Sequence, residues 1–505
     1  MAVRAGTTRL ICPLTSATVE AMRADMRAAA TAGADTVECR LDFLTRAPEP
    51  GDLAQLLSDA PLDVIVTCRA EREGGRFAGD ERDRLAILHE AAKHHPAFID
   101  VEMDVPPGDW PDAPVILSRH DFAGVPDDLD AILKAQEASP AAVNKVAFTP
   151  AGPEDALLAL DAAGRTGKPT IALAMGEAGV LSRVLARKVA AMGTFASLSP
   201  QTTSAPGQPT LEEFKQLYHW DSMSADTAVY GVIGCPVGHS MSPAIHNAAF
   251  AAADVDAVYV PLLIQPGTEN FNRFMDAALA RAWLDLRGLS VTIPHKESAL
   301  AYVGADNCDE LAVRIGAVNT ITIAPGGELR GDNTDYAAAI DAVCDAIGIA
   351  REGLAGRSVA VLGAGGAARA IVAALAHYGA QTTIYNRTVS RAEQLAGEFG
   401  GCAASIDAAA SIDAEIVINC TPIGMHPKVD ASPLESVPPA VKVVFDTIYN
   451  PIETRLLALA RAAKLRCVSG VEMFVNQGVA QFERWTGQRA PRDVMRRVVL
   501  EHLGA

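Results

Sequence analysis

Short apolar runs alternate with longer amphipathic segments from residue 8 to residue 198. The longer segments, such as residues 80–95 and 127–138, have the apolar spacing of helices with one buried face. Strands and helices in this alternation predict a (β/α)8 barrel, and a doubly wound open sheet is the alternative. The candidate strands are residues 8–12, 36–41, 63–69, 97–103, 114–119, 143–148, 170–174 and 194–198.

The alternation begins again in the second half of the chain. Residues 211–220 have the pattern of a closing barrel helix, and we interpret the polar segment 221–226 as a linker. A linker this short keeps the two halves near each other. The apolar run at residues 229–233 starts a new β/α pattern, so we expect a second α/β module after it.

Residues 358–391 contain a strand–loop–helix–strand pattern around a glycine-rich turn. An apolar run leads into Gly363, Gly365 and Ala368, which are spaced as G-x-G-x-x-A. Glycines permit a tight turn and a close approach to a pyrophosphate, while the helix N-terminus offers free N–H groups. The pattern predicts a dinucleotide site, and a glycine turn used only for packing is the alternative.

The end of the second strand of this pattern indicates which dinucleotide would bind. An NAD site commonly has Asp or Glu there, to bind the ribose 2′-hydroxyl. This chain instead has Asn386, Arg387 and Thr388, followed by Arg391. Two guanidinium groups suit a 2′-phosphate, so we predict NADP; a solvated basic turn is the alternative.

Composition and charge narrow the class of protein. The chain has 505 residues, 49% of them hydrophobic, and a formal net charge of −18, which argues against nucleic-acid partners and anionic membrane surfaces. Nine scattered cysteines without a C-x-x-C motif favour a reducing cytoplasm and predict no metal ion. No apolar run has membrane-spanning length, and the first strand pattern begins at residue 8, so we expect no signal or transit peptide. We expect small-molecule substrates and, with the oligomeric state left open, a monomer.

A lysine inside an apolar run is the most informative polar residue of the first half. Lys145 lies within VNKVAF, where a charged amine is costly to bury. Burial lowers the pKa of such an amine and favours the neutral form that can form a Schiff base with a ketone. His120, near the end of the preceding strand, can move protons near neutral pH. A structural ion pair between Lys145 and Glu38 is the alternative.

Motifs at the strand ends of the first half give a family resemblance. They are Glu38-Cys39-Arg40, Cys68-Arg69 with Glu73-Gly74-Gly75, Ser118-Arg119-His120-Asp121-Phe122, Asn144-Lys145-Val146, Met175-Gly176 with Ser182-Arg183, and Ser204-Ala205-Pro206-Gly207-Gln208. This segment resembles type I 3-dehydroquinate dehydratase. The resemblance implies a Schiff base on Lys145 and acid/base work by His120, which Glu73 orients. It implies substrate binding or charge balance by Glu38, Arg40, Arg69, Arg183 (on the carboxylate), Ser204 and Gln208.

Two local patterns in the second half offer further polar groups. Ser242 followed by Pro243 has the form of a helix N-cap and a first-turn proline. The hydroxyls of Ser240 and Ser242, with that helix N-terminus, form a candidate carboxylate site, and capping alone is the alternative. Gln477 and Gln481 are four residues apart and share a helical face, where an exposed pair is the alternative.

Further motifs follow in order up to about residue 487. They are Leu289-Ser290-Val291-Thr292-Ile293-Pro294-His295-Lys296, Gly316-Ala317-Val318-Asn319-Thr320, Gly331-Asp332-Asn333-Thr334-Asp335, Asn419-Cys420-Thr421-Pro422-Ile423-Gly424-Met425 and Asp446-Thr447-Ile448-Tyr449-Asn450-Pro451. This part resembles shikimate dehydrogenase, which implies a Lys296–Asp335 dyad at the reacting oxygen. The implied substrate contacts are Ser240, Ser242, Thr292, Asn319, Asp335, Tyr449, Gln477 and Gln481. The implied NADP contacts are Gly363, Ala364, Gly365, Gly366, Ala367, Asn386, Arg387, Thr388, Arg391 and Gly470.

Together the two halves resemble the bifunctional, plant-type fusion of these enzymes. That resemblance implies dehydration of 3-dehydroquinate to 3-dehydroshikimate, followed by NADPH-dependent reduction to shikimate. The expected domains are a barrel at residues 1–222, a substrate-binding lobe at 227–335 and a Rossmann NADP-binding lobe at 336–505. We expect a C-terminal helix at about residues 470–490 to pack back on the substrate-binding lobe.

Three alternatives stay open. Ser290 stands where single-domain bacterial enzymes have asparagine, which leaves quinate open as a substrate, although the hydroxyls of Ser240 and Thr292 favour shikimate. A non-catalytic regulator built from degenerate copies of these domains would have lost its reactive positions, yet Lys145 and Lys296 stand. A class I aldolase would share the barrel lysine but would not need a fused dehydrogenase.

Overall fold

The computed structural model describes residues 8–203 and 206–504, which form two compact units. The first unit contains the chain up to His239 together with Asp256–Leu286. The second contains Ser240–Val255 and the chain from Arg287 onward. No helix among the described residues is both long enough and apolar enough to cross a membrane.

The first unit begins with parallel strands that alternate with helices. The strands are β1 Arg9–Leu14, β2 Thr36–Arg40, β3 Asp63–Thr67, β4 Phe98–Glu102, β5 Val115–Asp121, β6 Val143–Phe148, β7 Thr170–Ala174 and β8 Gly193–Phe195. The helices are α1 Val19–Thr31, α2 Pro50–Leu57, α3 Glu81–Ala92, α4 Leu129–Ala138, α5 Pro153–Arg165 and α6 Val180–Val184. The strand order is β7-β6-β5-β4-β3-β2-β1-β8, and the Met192 amide donates to the Thr170 carbonyl across the remaining gap at 2.9 Å.

This arrangement confirms the predicted barrel and excludes the doubly wound sheet. Buried apolar side chains of the strands, among them Ile11, Ile65 and Ile171, form its core. Six of the eight strands begin or end one to three residues from the predicted bounds, while β6 and β7 match them. Strand β5 extends through His120 to Asp121, because β6 continues to pair with it there. The expected closing helix contains a π-helical turn at Glu213–Leu217, which the apolar pattern alone does not distinguish from an α-helix.

The second half of the chain contributes the remaining elements. The strands are β9 Ala228–Gly234, β10 Ala257–Leu263, β11 Leu286–Val291, β12 Thr320–Ile323, β13 Leu329–Asp332, β14 Ser358–Leu362, β15 Gln381–Asn386, β16 Cys402–Ser405, β17 Ile416–Asn419, β18 Val443–Asp446 and β19 Arg466–Val468. The helices are α7 Ser242–Ala252, α8 Thr268–Leu279, α9 Lys296–Val303, α10 Glu310–Ile315, α11 Thr334–Ile347, α12 Gly366–His377, α13 Val389–Phe399, α14 Arg455–Ala462, α15 Gly470–Thr486 and α16 Arg492–His502.

Strands β9 and β10 belong to the first unit and pair in parallel with each other. Polar contacts join this part of the chain to the barrel helices. Arg273 of α8 lies 2.5 Å from Glu154 of α5, and Asp161 of α5 accepts hydrogen bonds from Arg281 and Trp283. Lys188 is buried, and its Nζ donates to two backbone carbonyls of the predicted linker region, those of residues 225 and 227.

The second unit contains a Rossmann sheet of strand order β16-β15-β14-β17-β18-β19, in which the strands pair in parallel. Strand β14, a glycine turn, helix α12 and strand β15 confirm the predicted strand–loop–helix–strand pattern. Strands β11, β12 and β13 pair antiparallel to one another. Helix α15 packs on α11 and also contacts β12 and α7.

Candidate active sites

A cavity of about 380 Å³ lies at the carboxyl ends of the barrel strands. Its position follows from the lining residues that come directly after strands, such as Thr149, Met175 and Gly176. The predicted site residues that line it are Glu38, Arg40, Arg69, Glu73, His120, Lys145, Arg183 and Gln208. Ser204, which we also predicted, lies outside the described residues. The barrel therefore gathers eight of its nine predicted site residues around one space.

Lys145 is buried on β6 and has two carboxylate neighbours. Its Nζ lies 2.8 Å from Asp100 Oδ2 and 3.5 Å from Glu38 Oε1. The same Nζ is 4.8 Å from the centre of the Phe195 ring. The pairing with Glu38 that we considered is present, but Asp100 is the closer partner, and neither contact removes the amine from the cavity.

Asp100 is the residue of this site that the sequence did not reveal to us. It is fully buried on β4, accepts a hydrogen bond from Ser118 Oγ at 2.6 Å and lies 2.8 Å from an Arg69 nitrogen. Burial alone would raise the pKa of Asp100, but Arg69 and Lys145 outweigh it and hold that pKa well below its usual range. The sequence did contain a signal for Asp100. Asp100 and Glu102 are two residues apart in the strand FIDVE and so share one face of it.

Arg69 forms ion pairs with two protein carboxylates, that of Asp100 and that of Glu102, the latter at 3.1 Å. Arg40 makes a two-pronged pair with Asp42, whose oxygens lie 2.9 and 2.7 Å away. Glu38 accepts a hydrogen bond from Thr67. These contacts hold the charged walls of the cavity in place, so charge balance is the part of the implied role that the geometry favours.

His120 and Glu73 are hydrogen-bonded to each other at the cavity. Glu73 Oε2 lies 2.9 Å from His120 Nδ1 and accepts the backbone N–H of the same residue at 2.7 Å. Burial, together with the nearby charges of Arg69 and Lys145, lowers the pKa of His120 well below 6.5. The imidazole is therefore neutral at neutral pH. With Nδ1–H directed to Glu73, Nε2 is left as the basic nitrogen.

Arg183 is a buried cation without a protein counter-ion. It is 3% exposed, and across residues 8–203 and 206–504 its Nε has no hydrogen-bond partner and its guanidinium no ion pair. Burial lowers the pKa of Arg183 to about 10, so it remains charged at neutral pH. An unpaired buried cation is expensive, and an anionic ligand would offset that cost. Arg183 is therefore a candidate anion-binding residue of the cavity.

The predicted dyad of Lys296 and Asp335 lies in the other unit and forms an ion pair. Lys296 Nζ, at the start of α9, is 2.5 Å from Asp335 Oδ2, in the first turn of α11. Asn333 caps α11 by accepting the N–H of Asp335. Asn319 Oδ1 accepts the N–H of Thr334 at 2.7 Å. Asn319, which we predicted as a substrate contact, thus also fixes the helix start that carries Asp335.

The two predicted glutamines of α15 are buried, so the exposed-pair alternative is wrong. Gln481 Oε1 accepts a hydrogen bond from Ser290 Oγ at 2.9 Å, and its Nε2 donates to Thr320 Oγ1 at 3.1 Å. Gln477 Nε2 donates to the Phe474 carbonyl. Gln481 thus connects α15 to β11 and β12, whereas the Gln477 bond stays within α15. The periodicity showed their common face but not its burial.

The predicted cap of α7 is wrong. Ser242 is the first residue of the helix, Met241 is the N-cap, and the Ser240 hydroxyl accepts the Ser242 N–H at 3.2 Å. The proline at position 243 fits any first-turn position, so it did not fix the register by one residue. Ser240 is partly exposed and remains placed to present a hydroxyl beside the helix N-terminus.

The glycine turn leaves room for a phosphate group. Gly363 has φ +106°, a conformation that favours glycine, and leads to Gly365, the N-cap of α12. A Cβ atom added to Gly365 or Gly366 would meet no atom within 4 Å, so the space before the helix N-terminus is open. Ala364 and Ala367 flank these glycines. A turn built only for close packing would have filled that space.

The turn after β15 and the first turn of α13 each present one cation to solvent. Arg387 and Arg391 are exposed, and neither has an ion-pair partner within the described part of the chain. Asn386 Nδ2 donates to the Thr388 carbonyl and holds the turn. The polar set predicted for a 2′-phosphate thus lies in the turn after β15 and the first turn of α13.

Other predicted contacts lie on loops of the same unit. Gly470 opens α15, where a Cβ atom would come within 2.4 Å of the Thr447 carbonyl oxygen, so only glycine fits there. Tyr449 is 41% exposed, with its ring 5.3 Å from that of Phe474. Thr292 lies directly after β11. Their contacts with a ligand stay predictions.

Family models match successive parts of the chain. Type I 3-dehydroquinase matches residues 10–225, and the shikimate dehydrogenase substrate binding domain matches residues 232–321. Shikimate / quinate 5-dehydrogenase matches residues 348–458, and the shikimate 5′-dehydrogenase C-terminal domain matches residues 470–500.

A full-length relative decides the family. The chloroplastic bifunctional 3-dehydroquinate dehydratase/shikimate dehydrogenase of Arabidopsis thaliana is 37% identical over 517 residues, covering 96% of this chain and 83% of the relative. The chain belongs to the bifunctional 3-dehydroquinate dehydratase/shikimate dehydrogenase family. The shikimate dehydrogenase (NADP(+)) of Methanosarcina acetivorans is 43% identical over 288 residues, covering 55% of this chain and 99% of the relative. The solved dehydroquinate dehydratase and shikimate dehydrogenase from S. pombe is 25% identical, covers 99% of each chain and has a TM-score of 0.45.

Proposed function

We propose that this bifunctional enzyme dehydrates 3-dehydroquinate in the barrel and reduces the resulting 3-dehydroshikimate to shikimate, with NADPH, in the second unit. The observation that carries the proposal is the composition of the barrel cavity. It combines a buried amine, Lys145, a neutral imidazole, His120, and an unpaired cation, Arg183. These are the three groups needed to capture a ketone, move a proton and hold a carboxylate.

In the dehydratase, the amine of Lys145 gives up a proton and adds to the ketone carbon, and return of that proton to the carbinolamine oxygen lets it leave as water and gives an iminium group. The iminium withdraws electrons from the neighbouring carbon, whose proton passes to Nε2 of His120. The resulting enamine expels the adjacent hydroxyl group, which leaves as water with the proton from His120. Hydrolysis of the iminium releases 3-dehydroshikimate and restores Lys145.

Glu73 and Arg183 prepare these steps. The hydrogen bond from His120 Nδ1 to Glu73 selects the tautomer with a basic Nε2 and stabilises the imidazolium that forms. Because burial keeps His120 neutral, it begins the cycle as a base. Arg183 would pair with the substrate carboxylate and so orient the ring against Lys145.

In the dehydrogenase, Lys296 and Asp335 would act at the carbonyl oxygen. As negative charge develops on that oxygen, the ammonium group of Lys296 can donate a proton to it, and Asp335 fixes the direction of the amine. NADPH supplies the hydride when bound. The hydroxyls of Ser240 and Thr292 support shikimate over quinate as the product, which a comparison of shikimate and quinate oxidation tests directly.

The residues of the Rossmann lobe fit NADP. The open space before Gly365 and Gly366 can hold a pyrophosphate at the N-terminus of α12. The unpaired guanidinium groups of Arg387 and Arg391 can bind a 2′-phosphate. The absence of a carboxylate at the end of β15 removes the group that an NAD ribose would favour.

We further propose a monomeric enzyme of a reducing compartment such as the cytoplasm. All nine cysteines are unpaired, which supports that compartment. Light scattering of the purified chain should give a mass near 52.9 kDa, and a multiple of that mass would replace the monomer.

Trapping with borohydride tests the proposed dehydratase chemistry. Incubation with 3-dehydroquinate and sodium borohydride should inactivate the dehydratase and attach one substrate-derived group, which peptide mass spectrometry should locate on Lys145. The dehydrogenase activity of the same sample should survive. Dehydration that proceeds without a trapped adduct, or an adduct on another lysine with Lys145 unmodified, would contradict the proposal.

A further inference from the structure

A glutamine outside the barrel reaches the backbone of the reactive lysine. Gln136 lies on α4 and is fully buried between that helix and the sheet. Its Nε2 donates to the carbonyl oxygen of Lys145 at 2.8 Å and to that of Leu117 at 3.0 Å. Both hydrogens of the side-chain amide are therefore used on the main chain of two strands.

The two strands are those that carry the predicted dehydratase chemistry. Strand β6 holds Lys145, and β5 holds His120 three residues after Leu117. The strands pair in parallel, with Ser118 opposite Lys145 in the register. Gln136 thus links β5 and β6 on the helix side of the sheet, at the position of Lys145, whose side chain lines the cavity.

Packing alone does not account for an amide at this position. The other core-facing residues of α4 include Ile132 and Leu133, and an apolar side chain would complete that face. A buried amide is costly unless its groups are hydrogen-bonded. Within the described residues, Gln136 Oε1 has no partner. The gain that offsets this cost must come from the two bonds that Nε2 makes.

We propose that Gln136 is a positioning residue of the dehydratase, which fixes the Lys145 peptide so that Nζ stays aligned with His120 and the substrate ketone. This inference rests on the proposed dehydratase function. Loss of the two bonds would free the Lys145 peptide and the adjoining part of β5 to shift. A misplacement of about 1 Å at a reacting group can lower the rate about a hundredfold.

The competing explanation is that Gln136 only docks α4 on the barrel. Lys168 provides a matched control, because its Nζ donates to the carbonyls of Gln136 and Ser139 at the end of the same helix, at 3.1 and 2.5 Å. Lys168→Met removes two hydrogen bonds that hold α4 but leaves both bonds from the Gln136 side chain. If docking were the whole role, this variant and the Gln136 variants would behave alike.

The experiment compares wild type, Lys168→Met, Gln136→Glu and Gln136→Asn in the full-length chain. Glutamate keeps the side-chain size but loses both N–H donors, while asparagine keeps the amide but is too short to reach both carbonyls. We expect both Gln136 variants to lower kcat for dehydration about ten- to a hundredfold, with KM changed less than about twofold and dehydrogenase kcat unchanged. The rate of borohydride trapping should fall with kcat. Lys168→Met should lower the melting temperature and leave kcat intact.

Each outcome decides the matter. A folded Gln136 variant with wild-type dehydratase kcat, or a Lys168→Met variant with the same kcat loss, overturns the positioning role. Failure of both Gln136 variants to fold the barrel also overturns it, because Gln136 would then serve folding alone. A wild-type chain that does not dehydrate 3-dehydroquinate would instead contradict the proposed function. Failure of the positioning role and failure of the proposed function are therefore distinguishable.

Discussion

Replacement of Arg183 by methionine should weaken substrate binding without weakening the fold, a combination that few buried residues would show. The guanidinium is 3% exposed and has no partner within the described residues. Burial lowers its pKa from 12.5 to about 10, which corresponds to about 3 kcal/mol of lost stability for the charged form. For a base with a lowered folded-state pKa, that penalty is present in full below the folded pKa, hence at neutral pH, and is relieved only as pH rises from about 10.

Methionine keeps much of the apolar stem and removes the charge. We therefore expect Arg183→Met to leave the free energy of unfolding of the substrate-free protein unchanged or to raise it by about 1–3 kcal/mol. Binding should respond in the opposite direction. Loss of a charge-assisted hydrogen bond to a carboxylate costs about 1.5–3 kcal/mol, so KM for 3-dehydroquinate should rise roughly ten- to a hundredfold.

Two assays on the same samples test this pair of effects. Dehydration is followed by the enone absorbance of the product, and unfolding by urea titration with dehydrogenase activity as an internal control. Arg84→Met is the matched control, because Arg84 is fully buried but lies 2.6 Å from Glu102; breaking that pair should cost about 3–5 kcal/mol. If Arg183→Met lost stability as Arg84→Met does, or kept the wild-type KM, the unpaired-cation reasoning would be refuted.

Five other residues give further tests. Lys145→Ala should abolish dehydration and borohydride trapping but leave shikimate oxidation intact, whereas Lys296→Ala should do the reverse; loss of both chemical steps in either variant would argue against independent sites. Replacing Arg387 and Arg391 with alanine should raise KM for NADPH far more than KM for NADH, and equal effects would refute the 2′-phosphate assignment. Burial lowers the pKa of His246 from 6.5 to about 3, so only the unfolded chain takes up this proton as pH falls through that window. His246 should contribute about 1.4 kcal/mol of lost stability per pH unit below 6.5 in urea titrations, so the loss should be smaller in His246→Gln; an identical slope in that variant would contradict it.

Strand positions were predictable where both faces of a strand are buried. Residues 143–148 and 170–174 were predicted with the bounds that the structure shows, because continuous burial gives an unbroken apolar run between polar segments. The same reasoning made Lys145 the most informative polar residue of the first half, because a charged amine in a fully buried strand is costly. Boundaries that depend on hydrogen bonds, such as the start of α7 and the π-helical turn at Glu213–Leu217, were not visible in apolar spacing.

The long-range polar contacts were the part that the sequence could not supply. Asp100 lies 45 residues from Lys145 in the chain, and its pairing follows from the order of strands around the barrel. Gln136 is polar on a helix whose buried face is otherwise apolar, so the sequence shows an anomaly there but not the carbonyls it serves. Motif resemblance supplied the reactive residues. It did not supply the residues that act on them through the main chain.

The most direct test of the account is a single incubation of the full-length chain with 3-dehydroquinate and NADPH. Enone absorbance should rise first and then fall, while NADPH is consumed in an amount equal to the shikimate formed. With NADPH omitted, the enone should accumulate. NADPH consumption without prior enone formation, or enone formation that never leads to NADPH oxidation, would contradict the claim that one chain carries both consecutive reactions.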